Sequence, residues 1–212
     1  MSHSDVRAPQ QDRSRETLER ILVATEELLE RLSFEEIGVA QIVRRARCST
    51  GSFYARFKSK DALLPLLYAR YSADLRPRML ARAAAVDPER LTLREAAGLV
   101  AGTTVDMYAE RRNLLRAVAL HARTHPEAIG PDVREARGET TDLPARLLAR
   151  FADEIRHPDP LAAARVGFFI VAAAAREKML FGAAPHASDT PLSDDQLKRE
   201  LARVLYAYLT CP

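Results

Sequence analysis

Leu18, Ile21, Leu22, Thr25, Leu28, Leu29 and Leu32 recur at steps of three and four, the spacing of one helix face. Glu16 with Arg20 and Glu27 with Arg31 fall as i,i+4 pairs on other faces. The spacing predicts a helix from about Arg13 to Arg31. No segment alternates with period two, so the whole chain reads as all-α. Two short helical segments follow, Val39 to Ala46 and Thr50 to Phe57, separated only by Arg47, Cys48 and Ser49. So short a joint makes two helices cross steeply.

Beyond them, Ser59 is placed to cap a helix from Lys60, with Asp61 favourable against its dipole. Pro65 and Pro77 are expected to bend or end that helix. Thr92 and Glu95 have the spacing of a capping box and open a helix towards Glu110. A further helix starts near Asn113 with Leu114, Leu115, Val118 and Ala122 on its apolar face. Pro131 suits a first helical turn, and Pro144 is expected to interrupt that helix before Leu147, Leu148, Phe151 and Ile155 resume the pattern. HPDP at 157–160 is a stop, after which Asp159 and Pro160 read as N-cap and first residue of a helix to about Phe181. Ser193 and Gln196 form a second capping box, with Leu192 and Leu197 as its hydrophobic staple, and the last helix reaches about Leu209.

With 212 residues, 47% hydrophobic and 29% charged, the chain has enough apolar surface for a real core and is not disordered. Two cysteines, Cys48 and Cys211, are too few for a disulfide framework or a metal cage and fit a reducing compartment. The longest apolar run, Val166 to Ala175, falls far below the roughly 20 residues that cross a bilayer. The first residues carry no apolar stretch resembling a signal, so a cytoplasmic location is expected. No paired acids, activated nucleophile or phosphate loop can be assembled, which disfavours an enzyme, and no cofactor is expected.

The net charge of +3 is only a mild hint of an anionic partner, but its distribution is informative. Between Ile37 and Lys60 lie six basic residues, Arg44, Arg45, Arg47, Arg56, Lys58 and Lys60, and no carboxylate. Clustered cations on a compact helical unit gain affinity for duplex DNA by releasing condensed counterions. The hydroxyls of Ser49, Thr50, Ser52 and Tyr54 are suited to phosphate oxygens or base edges. Gly51 lets the backbone approach closely. The plainer alternative is a solvated basic face beside core aromatics.

The segment ILVATEELLERLSFEEIGVAQIVRRARCSTGSFYARFKSKDALL, Ile21 to Leu64, resembles the DNA-binding domain of the TetR family of bacterial transcriptional regulators. Ser49, Gly51, Phe53, Tyr54, Phe57 and Lys60 carry the family's most specific pattern. The resemblance implies a three-helix helix-turn-helix domain at 13–59 after an arm at 1–12. A larger helical ligand-binding and dimerisation domain would occupy 60–212. It also implies that Thr50, Gly51, Ala55 and Ser52 face bases, that Tyr54, Arg56 and Lys60 hold phosphates, and that Phe53 and Phe57 pack inward with Ile42 and Leu28. Arg45 and Arg47 complete the expected DNA contacts. Ser33 and Arg47 stand where the family commonly has glycine, and Gly38 where it has a Ser or Thr cap. Cys48, where valine is usual, is either a redox-sensitive thiol or a small apolar filler.

The run VGFFIVAAAA is apolar all round and so must be covered on more than one side. The resemblance implies a homodimer through this helix and the last one, with Phe169, Ala173, Leu197, Leu201, Val204, Leu205 and Tyr208 at the interface; an intramolecular core is the alternative. A cavity for a small, largely apolar effector is expected from Thr103, Met107, Leu114, Val118, His121, Phe168 and Ala172, chosen by helix face. His121 and His125 have a spacing that can chelate a metal, yet no third ligand accompanies them, and no metal is expected. The function expected is a repressor released from operator DNA by its effector. The rival is a helix-turn-helix regulator that needs none.

Overall fold

The computed structural model describes residues 8–87, 90–128, 130–182 and 192–211, and among them the only regular elements are helices. These are α1 (Ala8–Leu29), α2 (Val39–Arg45), α3 (Thr50–Tyr54), α4 (Leu64–Ala85), α5 (Leu93–Glu110), α6 (Arg112–Thr124), α7 (Pro131–Leu148), α8 (Pro160–Phe181) and α9 (Asp194–Thr210). Two compact units divide them: residues 1–70 with 113–128, and residues 71–112 with 129–212. The first thus extends past 59 and takes in most of α6, while α4 contributes to both. Of the arm expected at 1–12, residues 1–7 lie outside the described residues and α1 begins at Ala8.

Local chemistry explains most helix boundaries. Thr92 Oγ1 accepts from the Glu95 N–H at 3.3 Å, and the Glu95 carboxylate accepts from the Thr92 N–H at 2.8 Å, completing the expected box. Ser193 and Gln196 repeat it at 3.2 and 2.9 Å. Asp159 Oδ1 caps α8 by accepting from the Ala162 N–H at 3.0 Å. The prolines behave otherwise than expected. Pro65 sits in the first turn of α4, where its missing N–H has no intrahelical partner to lose. Pro77 and Pro144 lie inside α4 and α7, and both helices run on. At Pro77 the orphaned acceptor belongs to Ala73, which is exposed, so water can take the lost bond. Ser59 makes no side-chain cap, and Lys60–Leu63 is a 3-10 turn leading into α4.

In the first unit Ile21, Leu22, Ala24, Leu29, Ile37, Ile42, Phe53, Phe57, Leu63 and Leu67 are buried, as are Leu114, Leu115, Ala117 and Val118 of α6. Thr25 is buried among them and donates its hydroxyl to the Ile21 carbonyl at 2.8 Å. Arg70 of α4 pairs with Glu19 and Glu26 of α1. Asn113 Nδ2 donates to the Leu29 carbonyl at 2.8 Å, satisfying an acceptor at the end of α1 that the helix leaves unpaired.

In the second unit α5 packs on α8 and α9, and α7 on α8. The core is Leu93, Ala96, Ala97, Val100, Ala101 and Val105 of α5 against Ala163, Ala164, Val171 and Ala175 of α8 and Leu197, Leu201, Leu205 and Leu209 of α9. Small residues set the spacing. A Cβ on Gly167 would lie 2.7 Å from Leu205 Cδ1 and 3.2 Å from Tyr208 Cδ1, so α8 and α9 approach closely at Gly167 and a larger residue there would have to displace the end of Leu205. Lys198 bridges to Asp106 at 2.6 Å, joining α9 to α5.

Candidate nucleic-acid interface

The α2–turn–α3 segment is built from capped short helices. Gly38 precedes α2 in extended geometry; lacking a side chain, it leaves the cap to Gln41, whose Oε1 accepts from the Gly38 N–H at 2.6 Å. Ser49 caps α3, its hydroxyl accepting from the Ser52 N–H at 3.0 Å and lying 2.9 Å from the Ser52 hydroxyl. Phe53 is fully buried and Phe57 nearly so, their ring centroids 5.2 Å apart, with Ile42 buried and Leu28 half-buried. That inward pair fixes the roll of α3. Thr50, Gly51, Tyr54 and Ala55 therefore face out, Tyr54 with 55% of its surface exposed, while Ser52 is half-buried.

The six cations divide into two groups. Lys60 donates to the carbonyls of Phe34 and Ile37 at 2.6 and 2.8 Å and lies 4.4 Å from the Phe34 ring centroid. Arg56 donates to the Ser52 carbonyl at 2.8 Å and to the Ser14 hydroxyl at 3.1 Å, tying the end of α3 to the start of α1. Arg45 is paired with Glu27 of α1. Lys60 and Arg56, the expected phosphate holders, each donate to protein oxygens here, while the buried Arg56 Nε has no partner among the described residues. Sequence reading missed the Lys60 bonds because the acceptors are backbone carbonyls 26 and 23 residues away from Lys60, which no local spacing reveals. Arg44, Arg47 and Lys58 are exposed and have no partner among the described residues. They carry the open positive charge of this face.

Two turns where glycine is usual have different solutions. Ser33 keeps a negative φ, and Glu36 folds back on it, accepting from both its N–H and its hydroxyl at 2.8 Å. Those two bonds, the backbone one foremost, hold the Glu36 carboxyl below its ordinary range. Arg47 instead takes a φ of 51°, the left-handed region that costs a non-glycine residue roughly 1–2 kcal/mol. Cys48 is half-buried, its N–H donating to the Val43 carbonyl at 3.0 Å.

The residues expected at an effector cavity fall in different units. Leu114 and Val118 are buried in the first, with His121 half-buried there. Thr103, Met107, Phe168 and Ala172 are half-buried in the second, where Phe168 packs on the core. The rings of His121 and His125 stack 4.5 Å apart, and His125 Nδ1 is bonded to Thr124 Oγ1 at 2.9 Å. Among the described residues no cluster of three metal-ligating side chains occurs. Of the residues expected between protomers, Leu197, Leu201 and Leu205 are buried in the core of the second unit, Leu205 being 1% exposed. They face α5 and α8, since α9 can present only one side to its own chain. The opposite side carries Val204 and Tyr208, and α8 exposes Val166, Phe169 and Ile170, Phe169 to 69%, with Ala173 half-buried. No described helix is long and apolar enough to cross a membrane.

Residues 21–67 match the family model described as bacterial regulatory proteins, tetR family. No curated protein matches the sequence. Solved structures share the fold over nearly the whole chain. A tetR-family bacterial regulatory protein from Rhodococcus RHA1 is 19% identical over 92% of this chain and 98% of that one, with a TM-score of 0.61. A tetR-family transcriptional regulator from Mesorhizobium loti MAFF303099 is 16% identical over 95% and 97%, with a TM-score of 0.57. AibR, solved in complex with isovaleryl coenzyme A and operator DNA, is 17% identical over 92% and 99%, with a TM-score of 0.56. The family match covers the capped, outward-facing α3 and its buried phenylalanines, and the solved structures share the fold around it: residues 21–67 are similar to the amino-terminal domain of the tetR family of bacterial regulatory proteins, and the chain as a whole has the fold of those solved tetR-family regulators.

Proposed function

We propose that the protein is a homodimeric repressor that grips duplex operator DNA through α3 and lets go when a small, largely apolar molecule binds the second unit. The observation that carries the DNA reading is the roll of α3. Phe53 and Phe57 are buried, so Thr50, Gly51, Tyr54 and Ala55 form a sterically open face, and the neighbouring Arg44, Arg47 and Lys58 are exposed with no partner among the described residues. Thr50 and Ala55 suit base edges in a major groove, and the cations suit phosphates.

The dimer rests on α8 and α9. Val166, Phe169, Ile170, Val204 and Tyr208 leave large apolar side chains in water, and an apolar patch of this kind is the usual mark of a protein interface. A second copy would cover it isologously. Thr103 and Met107 of α5 with Phe168 and Ala172 of α8 are the proposed effector contacts in the second unit, a lining that selects by shape and hydrophobicity. The solved complex of AibR with isovaleryl coenzyme A and operator DNA supports a reading in which this fold serves both an effector and DNA. Because α4 is continuous from Leu64 to Ala85 and contributes to both units, it is the proposed lever between effector and DNA.

The test starts from a genome-wide map of bound sites, which supplies the operator and suggests effectors from neighbouring genes. An effector favouring the non-binding conformation by about 2.7 kcal/mol weakens operator binding roughly a hundredfold. Phe168→Trp should leave operator binding intact and raise the effector concentration needed for release. An unchanged dose response places the effector elsewhere, and operator binding indifferent to every effector favours the ligand-independent reading.

A further inference from the structure

Arg47 occupies the one left-handed backbone position among the non-glycine residues described. The bonds around it explain why the turn demands that geometry. After Ala46 ends α2, the Cys48 N–H donates to the Val43 carbonyl at 3.0 Å and the Arg47 N–H to the Arg44 carbonyl at 3.3 Å. This is a Schellman ending, whose first residue past the cap is left-handed and is usually glycine, because a Cβ is disfavoured there. The turn cannot relax without releasing those carbonyls and moving Ser49, the cap of α3.

The arginine side chain is exposed, with no hydrogen bond, ion pair or ring contact among the described residues. Arg45, Arg56 and Lys60, by contrast, all have protein partners. A strained residue whose side chain has no polar or ring partner among the described residues points to a contact outside the fold. Arg47 stands three residues before Thr50, at the start of the exposed α3 face.

We infer that Arg47 is a DNA-phosphate contact, kept at a left-handed position in spite of its cost to stability, and that it supplies part of the backbone grip that Arg56 and Lys60, held inside the fold, do not. The inference rests on the DNA-binding reading and deepens it. It has a signature that an ordinary surface arginine lacks: one substitution moves stability and DNA affinity in opposite directions.

Arg47→Gly in the full chain should raise Tm by about 2–4 °C, the shift expected for a chain of this size on relief of a strained backbone position. On a mixed-sequence DNA duplex at low salt, the same variant should bind roughly threefold to tenfold more weakly. Its plot of log affinity against log salt should be shallower by about 0.9, the loss of one phosphate contact. Arg47→Lys should keep the wild-type slope and gain no stability. A Gly variant with the wild-type affinity and slope overturns the inference while leaving the DNA-binding reading standing. A Gly variant that melts lower also overturns it, because the side chain would then be stabilising the turn. A wild-type chain with no salt-dependent affinity for duplex DNA overturns both.

Discussion

The two units are held together by different means. In the first, single polar side chains close specific gaps: Lys60 on two loop carbonyls, Asn113 on the end of α1, Arg56 between α3 and α1, Ser49 on the start of α3. In the second, alanines, leucines and valines of α5, α8 and α9 fill a continuous interior, and polar contacts such as Lys198 with Asp106 lie at its margin. A side chain closing one gap is nearly irreplaceable, whereas an apolar filler can be exchanged for another of similar volume.

The largest expected effect lies in the second unit. Leu205→Ala removes a side chain packed against Gly167 at the α8–α9 contact and should cost roughly 2–5 kcal/mol by chemical denaturation. Phe169→Glu, on the opposite face, should keep the helical content and convert a dimer to a monomer at micromolar concentration, as read by light scattering. If the two variants behave alike, the division of α8 and α9 into an inward and an outward face is wrong.

Next in size is the loss of a polar fastening. Lys60→Met should destabilise the first unit by roughly 1.5–3 kcal/mol, since two carbonyls lose a charged donor. At temperatures where the variant is folded, the salt dependence of its DNA binding should match wild type. A shallower slope with unchanged stability would return Lys60 to the phosphates.

How much of this was legible in the sequence follows the same division. The helix-turn-helix, the inward Phe53 and Phe57 and the boxes at Thr92 and Ser193 were readable, because each depends on residues within four positions of one another. The protein contacts of Lys60 and Arg56 were not, because partners such as Phe34, Ile37 and Ser14 are distant in the chain. The stripe Leu197, Leu201, Leu205 was read as buried with two candidate neighbours, a second protomer or the chain's own core, and the chain's own core packs on it. Periodicity reports that a face is covered, not by which chain. Pro77 was expected to bend or end its helix and Pro144 to interrupt one; neither helix ends there, since propensity yields to packing when the orphaned acceptor can be satisfied.

The smallest effect concerns Glu36. Its carboxyl is held below the ordinary value of 4.5 by the Ser33 N–H and hydroxyl, so the stability it contributes is present above that value and is lost as pH falls through the lowered folded one. Glu36→Gln keeps an acceptor but no charge. The stability gap between wild type and this variant should therefore be constant at neutral pH and close below about pH 4.5. A gap that persists into acid would assign it to packing.

The central claim is that the exposed face of α3 is the surface that meets DNA, and Gly51 tests it most directly. A Cβ there would meet only Ser49 Oγ at 3.8 Å, an ordinary contact, so Gly51→Glu should fold as wild type does. Its carboxylate would project from the exposed face towards phosphates, where like charges repel. Titration of the operator with both proteins should show an unchanged melting temperature and at least about a tenfold loss of affinity in the variant, a difference of about 1.4 kcal/mol. Equal affinity would contradict the claim and move the DNA-binding surface off α3.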